Sequence, residues 1–324
     1  MRYVNRSCMP TISIIRANAL LFTGAYVCGV FAIDFGGILY PWKSGRVISL
    51  FVLCGLLFIG FGFQQGLKFL TTEENRIFPV HFLKSRTLIM LFAATACGST
   101  ATFLPIYFIP LFFQFTRNDS ALEAGIRLLP FVVFLVVFCV ANGAIMSATG
   151  YYMPWFLFGG VITVIGNALL FTVDEHSSIA RVYGYSILAG TGAGAFVQAG
   201  FSVAQGKVDF MDIPLAIGFI TAGQIGGSTI SLAIANSVFL NGATTDIGAL
   251  LPDQPKAAIQ SAVAGASAGL FESLNEDMRD AVTAAIVDNM KYVYVLAVTA
   301  GALLVIMSVF MKREKLFLKA GAAG

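Results

Sequence analysis

One carboxylate lies inside an apolar stretch rather than at its edge: Asp34, in Ala32-Ile33-Asp34-Phe35-Gly36-Gly37. An ionisable group surrounded by hydrocarbon is costly, so by default it marks a proton or ion site. The two glycines, Pro41 and Lys43 favour a second reading, a helix end close to water where a carboxylate costs little. Other candidate chemistry is uncharged. Residues three, four and seven apart share one face of a helix, and on that spacing Thr191, Gln198, Ser202 and Gln205 form one polar stripe. Thr221, Gln224, Ser228 and Ser231 form another, and Gln114 stands near the end of a separate apolar run. Such faces hydrogen-bond either a passing solute or a neighbouring helix, and the pattern alone leaves both roles open.

The elements that position these residues follow from composition. Of 324 residues, 57% are apolar and 11% charged, against about 25% charged in an ordinary soluble domain. A hydrocarbon layer about 30 Å thick takes roughly 20 apolar residues per spanning helix. Eight runs of that kind are present, at 17–40, 46–65, 87–115, 126–149, 151–173, 182–205, 213–240 and 291–311. The expected fold is therefore all-α, a polytopic transmembrane bundle of about eight spans in a lipid bilayer. Its expected organisation is an atypical segment at 1–16, a helix pair and basic loop at 17–86, a six-helix unit at 87–311 with an external loop at 241–290, and a tail at 312–324. The loop carries Asp246, Asp253, Glu272, Glu276, Asp277, Asp280 and Asp288, and from Asn275 it reads as a helix running into the last span. Packing cap and binding lid both fit it.

With both termini cytoplasmic, twelve Lys and Arg fall inside and eight outside. The dense groups at 68–86 and 312–319 carry that difference, which orients the chain by the positive-inside rule. A net charge of +3 asks for no nucleic-acid partner. Cys8, Cys28, Cys54, Cys97 and Cys139 are widely spaced and mostly inside apolar runs, as buried free thiols are. His81 and His176 are isolated, and no HExxH, paired CxxC or P-loop occurs, so neither an enzyme nor a cofactor site is expected. Gly190, Gly192 and Gly194, like Gly223, Gly226 and Gly227, are positions where helix backbones can approach closely. Pro105, Pro110, Pro130 and Pro214 predict kinks or helix ends.

These patterns resemble the major facilitator superfamily, in particular the fungal fourteen-span drug:proton antiporters that export toxins and drugs. Residues 104–114, Leu-Pro-Ile-Tyr-Phe-Ile-Pro-Leu-Phe-Phe-Gln, followed by Ser120, Gly125, Leu129 and Pro130, are similar to that family's ninth span and the start of its tenth. Gly184-Tyr185, Ala189-Gly190, Gly192, Gln198 and Gln205 resemble the twelfth, and Gln224, Gly226-Gly227-Ser228 and Asn241-Gly242 the thirteenth. Gly36-Gly37, Trp42 and the basic loop after Gln65 resemble the extra central pair. The resemblance implies the carboxy-terminal portion, spans seven to fourteen, of a multidrug or toxin efflux pump in the plasma membrane, coupled to protons and acting on small amphipathic compounds. It also implies that the first six spans, with their antiporter motifs, have no counterpart here, so a truncated chain, a missing amino-terminal half or a partner chain is expected. In the superfamily the substrate lies near the midplane between two six-helix halves. Gln198, Gln224, Gln114, Ser228 and Thr191 are accordingly the substrate-path candidates and Asp34 the proton candidate, with thirty Phe in the chain to supply broad apolar contact.

Overall fold

The computed structural model describes residues 8–67, 80–264, 274–313 and 315–316, with side chains described from residue 20 onward. The expected basic loop at 68–79, the tail beyond 316, Glu272 and the segment 1–7 lie outside the described residues, as does the Cys8 side chain. Eleven α-helices follow one another among the described residues, with no strand: α1 Cys8–Phe35, α2 Gly45–Leu67, α3 Arg86–Arg117, α4 Ala121–Arg127, α5 Leu129–Thr149, α6 Met153–Phe171, α7 Ile179–Phe196, α8 Ala199–Gln205, α9 Ile213–Leu250, α10 Lys256–Val263 and α11 Glu276–Val309. Seven stretches are long and apolar enough to cross a membrane: Gly45–Gln65, Arg86–Arg117, Leu129–Thr149, Met153–Phe171, Ile179–Gln205, Phe210–Leu250 and Glu276–Val309. The apolar helix Leu20–Phe35 joins them in the position of the first expected span. The chain is an all-α transmembrane bundle.

The chain divides into two compact units, Met1–Arg86 and Thr87–Gly324. In the first, α1 and α2 pack side by side. The Phe22 ring meets Phe58 edge-on and Phe61 at a tilt, and a Cβ built on Gly29 would lie 3.1 Å from the Cys54 sulfur. Helix α1 starts at Cys8 and ends at Phe35, so its first turns lie in the segment expected to be atypical, and 36–40 is a turn instead of the end of a span. That turn needs glycine twice. Gly37 has φ of 76°, and a Cβ on Gly36 would sit 2.4 Å from the Trp42 ring.

In the second unit α7 is wedged between α5 and α6, α11 packs on α6 and α9, and α8 and α10 pack on α9. The wedge is possible because α7 has almost no side chain on two opposite faces. Cβ atoms on Gly190 and Gly194 would lie 2.3 Å and 2.2 Å from the carbonyl oxygens of Phe131 and Leu135 in α5. On the other face, one on Gly192 would lie 2.5 Å from the Thr163 nitrogen of α6. Lipid supplies no hydrophobic drive for helix association, so close backbone approach of this kind is what holds the helices together.

The prolines divide into two groups. Pro130 and Pro214 open α5 and α9, where a missing N–H costs nothing. Pro105 and Pro110 lie within α3, which continues through both. Pro105 leaves the carbonyl of Ala101 without its helical donor, and Asn167 Nδ2 of α6 donates to that oxygen at 3.3 Å. A fully buried amide thus satisfies a proline-freed carbonyl on a neighbouring helix.

Among its described residues the stretch expected as an external loop is largely helical, with the helix expected from Asn275 and with α9 extending beyond 240, the expected end of its span. Helix α9 runs on to Leu250 and α11 starts at Glu276, next to the Asn275 start that the sequence indicated, with the Asn275 side chain accepting from the Met278 N–H as its cap. At 38 residues α9 is about 57 Å long, well beyond a hydrocarbon core of about 30 Å. The two extensions are tied together. Asn289 Nδ2 donates to Asp246 at 2.6 Å, and Asn289 Oδ1 occupies the space a Cβ on Gly242 would need.

Candidate functional site

The site candidates gather on α3, α7, α8 and α9 of the second unit. The α7 sequence Ala189-Gly190-Thr191-Gly192-Ala193-Gly194-Ala195 is too small to pack by side chains and relies on its neighbours' backbones. It ends on Phe196, whose ring fills the space over two glycines. A Cβ on Gly98 of α3 would lie 2.3 Å from that ring, and one on Gly159 of α6 would lie 2.8 Å from it. Immediately afterwards the helix is interrupted at Val197 and Gln198, and α8 restarts at Ala199. Both residues keep right-handed helical dihedrals, the Val197 N–H still donates to the Ala193 carbonyl at 3.0 Å and the Ser202 N–H to that of Gln198 at 3.4 Å, so the span is locally distorted there without unwinding.

The interruption changes the first predicted stripe. Thr191 is half-buried on α7, Gln198 is exposed at the break, and Ser202 is exposed and Gln205 half-buried on α8. Helix α8 meets α3 and α9 through Gly200, where a Cβ would lie 2.6 Å from Thr95 Oγ1 and 3.8 Å from Ile220. Gln224, one turn beyond Ile220 on α9, has a half-buried side chain. Its backbone carbonyl accepts from Ser99 Oγ of α3 at 2.9 Å. Gln114 is half-buried in the last turn of α3.

The hydroxyls of the second stripe mostly serve their own helix. Thr221 donates to the Ile217 carbonyl at 2.8 Å, Ser228 to that of Ile225 at 3.1 Å, and Ser231 to that of Ser228 at 2.9 Å. Bonds between α3 and α9 come instead from Ser99 and Thr100, the latter donating to the Gly227 carbonyl at 3.3 Å. Gly223 and Gly227 set that close approach, with Cβ positions 3.0 Å and 2.4 Å from the carbonyl oxygens of Phe92 and Ala96. A Cβ on Gly226 would meet nothing within 4 Å, so the small-residue contact on α9 is made by the pair four apart. Ser99, Thr100 and Asn167 escaped the sequence reading. Their signal was polar residues inside runs otherwise apolar, without a stripe to mark them.

Asp34 is the penultimate residue of α1, half-buried and next to the Gly36–Tyr40 turn. The helix ends there, which places the carboxylate in a terminal turn. Among the described residues no three His, Cys, Asp or Glu side chains form a metal-binding group, and Cys28, Cys54, Cys97 and Cys139 are free.

Charged groups concentrate where α3 ends and α5, α7 and α11 begin. Arg127 pairs with Asp119, its Nη2 donating to Oδ1 at 3.1 Å, and its guanidinium lies 5.0 Å from the centre of the Phe113 ring. Hydrogen bonds to Asp119 and to the Tyr183 hydroxyl hold Arg127 more firmly protonated than a free arginine. Ser120 caps α4, and its backbone N–H and hydroxyl hold the Glu123 carboxyl below its usual range. The Ser177 hydroxyl does the same for Asp174, while the Ser177 carbonyl accepts from Arg117 at 3.0 Å. A polar cavity of about 720 Å³ opens here, lined among others by Arg117, Glu175, His176, Glu276 and Arg279. A second cavity of about 670 Å³, at the opposite end of α6, is almost wholly apolar. None of Gln114, Thr191, Gln198, Gln224 and Ser228 lines either.

A neutral amide at a helix break, flanked by hydroxyls and small residues, offers hydrogen bonds without charge. It provides neither a nucleophile nor an acid–base pair. The chain is 52% identical over 300 residues to the MFS-type transporter pgmG of Aspergillus terreus, a match spanning 93% of this chain and 54% of that protein. It is 40% identical over 308 residues to the efflux pump alnA of Emericella nidulans, spanning 94% of this chain and 56% of the pump. The chain is homologous to fungal transporters of the major facilitator superfamily. It spans about half the length of these curated relatives. Among solved structures, a bacterial homologue of the human lysosomal transporter Spinster aligns over 93% of this chain and 67% of its own, with a TM-score of 0.51 at 16% identity, a likeness of fold. No family model matches the chain.

Proposed function

We propose that this major facilitator chain forms one wall of the translocation path of an exporter of small amphipathic compounds, a drug, toxin or secondary metabolite, driven by proton antiport. The observation that supports the reading is the exposed amide of Gln198 at a local distortion of the span Ile179–Gln205, a hydrogen-bonding group without charge on an otherwise apolar element. The efflux pumps among its homologues support the direction of transport. In this reading Gln198 and Gln224 hold the polar group of the substrate, with Gln114, Ser228 and Thr191 along the same route. Asp34 is the proton candidate. The plasma membrane with both termini cytoplasmic is the proposed setting, in line with twelve basic residues inside against eight outside.

A second reading, a protein that does not transport or does so only with a partner chain, is favoured by the match to only about half of each relative. Efflux of a fluorescent amphipathic dye from yeast expressing the chain separates the two. Expression should lower dye retention at least about twofold, a protonophore should abolish the effect, and Asp34→Asn should leave dye binding intact while removing the response to a pH gradient. Unchanged retention by the chain alone, with efflux restored on co-expression of a relative's amino-terminal half, would select the partner-dependent reading. Unchanged retention in both cases would leave the non-transporting one.

A further inference from the structure

We infer that the apolar groove along the first half of α6 is a binding site for one anionic phospholipid, with its phosphate at Arg313 and an acyl chain on the α6 face. The groove is lined by Tyr151, Leu157, Phe158, Val161, Ile162 and, at one end, Arg313, and encloses about 670 Å³. Its cationic end is structurally fixed. The Leu316 N–H donates to the Gly150 carbonyl at 2.8 Å, Lys315 Nζ lies 5.2 Å from the centre of the Tyr151 ring, and the Leu316 side chain rests against Gly206. Gly150 has φ of 76°, and a Cβ there would lie 3.2 Å from the Leu316 carbonyl oxygen, so glycine admits both the turn and the strap. Lys315 and the Tyr151 phenol are thereby held beside the start of a membrane-spanning helix, and Arg313, two residues from Lys315, lines the groove.

Polarity and length select the occupant. From Met153 to Ile162 the groove follows ten residues, about 15 Å of helix, half of a hydrocarbon core of about 30 Å. One acyl chain of a single leaflet has that reach. Phe158 and Val161 are 44% and 40% exposed, a face that only hydrocarbon covers favourably in a bilayer. Arg313 supplies a planar donor set for phosphate oxygens, and Tyr151 sits at the level where aromatic rings meet headgroups. The choice of an anionic lipid rests on the basic tail being cytoplasmic, the side on which anionic lipids concentrate.

The test is native mass spectrometry of the full chain in an uncharged detergent, with phosphatidylserine or phosphatidylcholine of identical acyl chains added. Phosphatidylserine adducts should exceed phosphatidylcholine adducts by about fivefold, the contribution of one basic residue near an anionic group. Arg313→Gln should remove that preference, and Val161→Trp, which fills the groove without touching the charge, should reduce adducts of both lipids. Inorganic phosphate should not compete. Equal adducts of the two lipids, full retention of phosphatidylserine by Val161→Trp, or displacement by inorganic phosphate would overturn the assignment. So would a dimer that Val161→Trp dissociates while lipid adducts persist, since the groove would then be a contact between copies.

Discussion

Replacing Gly194 by valine is expected to destabilise the chain by about 3 kcal/mol or more, enough to remove most folded protein at growth temperature. A Cβ at 194 would stand 2.2 Å from the Leu135 carbonyl oxygen and 3.0 Å from the Phe138 Cβ, and its neighbour one turn away, Gly190, already lies against Phe131. Neither obstacle is the flexible end of a side chain. Both are backbone or next to it, so α5 and α7 must separate along their whole contact, and α6 blocks retreat on the other face through Gly192. Gly226→Val is the matched control. Its Cβ meets nothing within 4 Å, and the change should fall within about 0.5 kcal/mol of the parent. Thermal unfolding of both variants in detergent measures the difference, and comparable melting temperatures would refute the packing of α7 against α5.

Phe196→Ala should be nearly as damaging, at about 2–4 kcal/mol. The ring is 2% exposed and covers Gly98 and Gly159, so its removal empties a space shared by three helices immediately before the break. In water the cost would include transfer of the ring from solvent. In a bilayer lipid is as apolar as the core, and the cavity dominates. That predicts a rescue: Gly98→Ala, whose Cβ would displace the ring in the parent, should recover part of the loss in the Phe196→Ala background. A double-mutant cycle on melting temperature reads the coupling, and strict additivity would contradict the ring's place between Gly98 and Gly159.

The sequence made the spans visible because hydropathy over about 20 residues is what the bilayer itself demands. It hid what lies beyond the hydrocarbon. Residues 241–250 and 276–290 carry Asp, Glu, Arg, Asn and Thr among alanines, so they fail an apolar-run criterion, yet alanine-rich helices continue into water without difficulty. Gly190 and Gly194 were legible as a four-residue pair. On α9 Gly223, Gly226 and Gly227 all qualified, and only Gly223 and Gly227, four apart, meet a neighbouring backbone. Polar stripes were the least legible, since periodicity cannot distinguish a hydroxyl bonded to its own helix, such as Ser231, from one that crosses to another, such as Ser99. The helix break at Gln198 has no proline to announce it. It arises where a run of Gly and Ala gives way to Phe196, a position set by packing with α3 and α6 that no single span encodes.

The claim that Gln198 faces a water-filled path is tested most directly by thiol accessibility. In a background with Cys8, Cys28, Cys54, Cys97 and Cys139 replaced, Gln198→Cys and Val161→Cys are each exposed, in membranes, to a small water-soluble maleimide. Only a hydrated thiol ionises enough to react. The cysteine at 198 should be labelled at least about tenfold faster than the one at 161, and an amphipathic substrate should slow it. Equal inertness at the two positions would mean that Gln198 meets lipid, and the path would have to be sought elsewhere in the bundle.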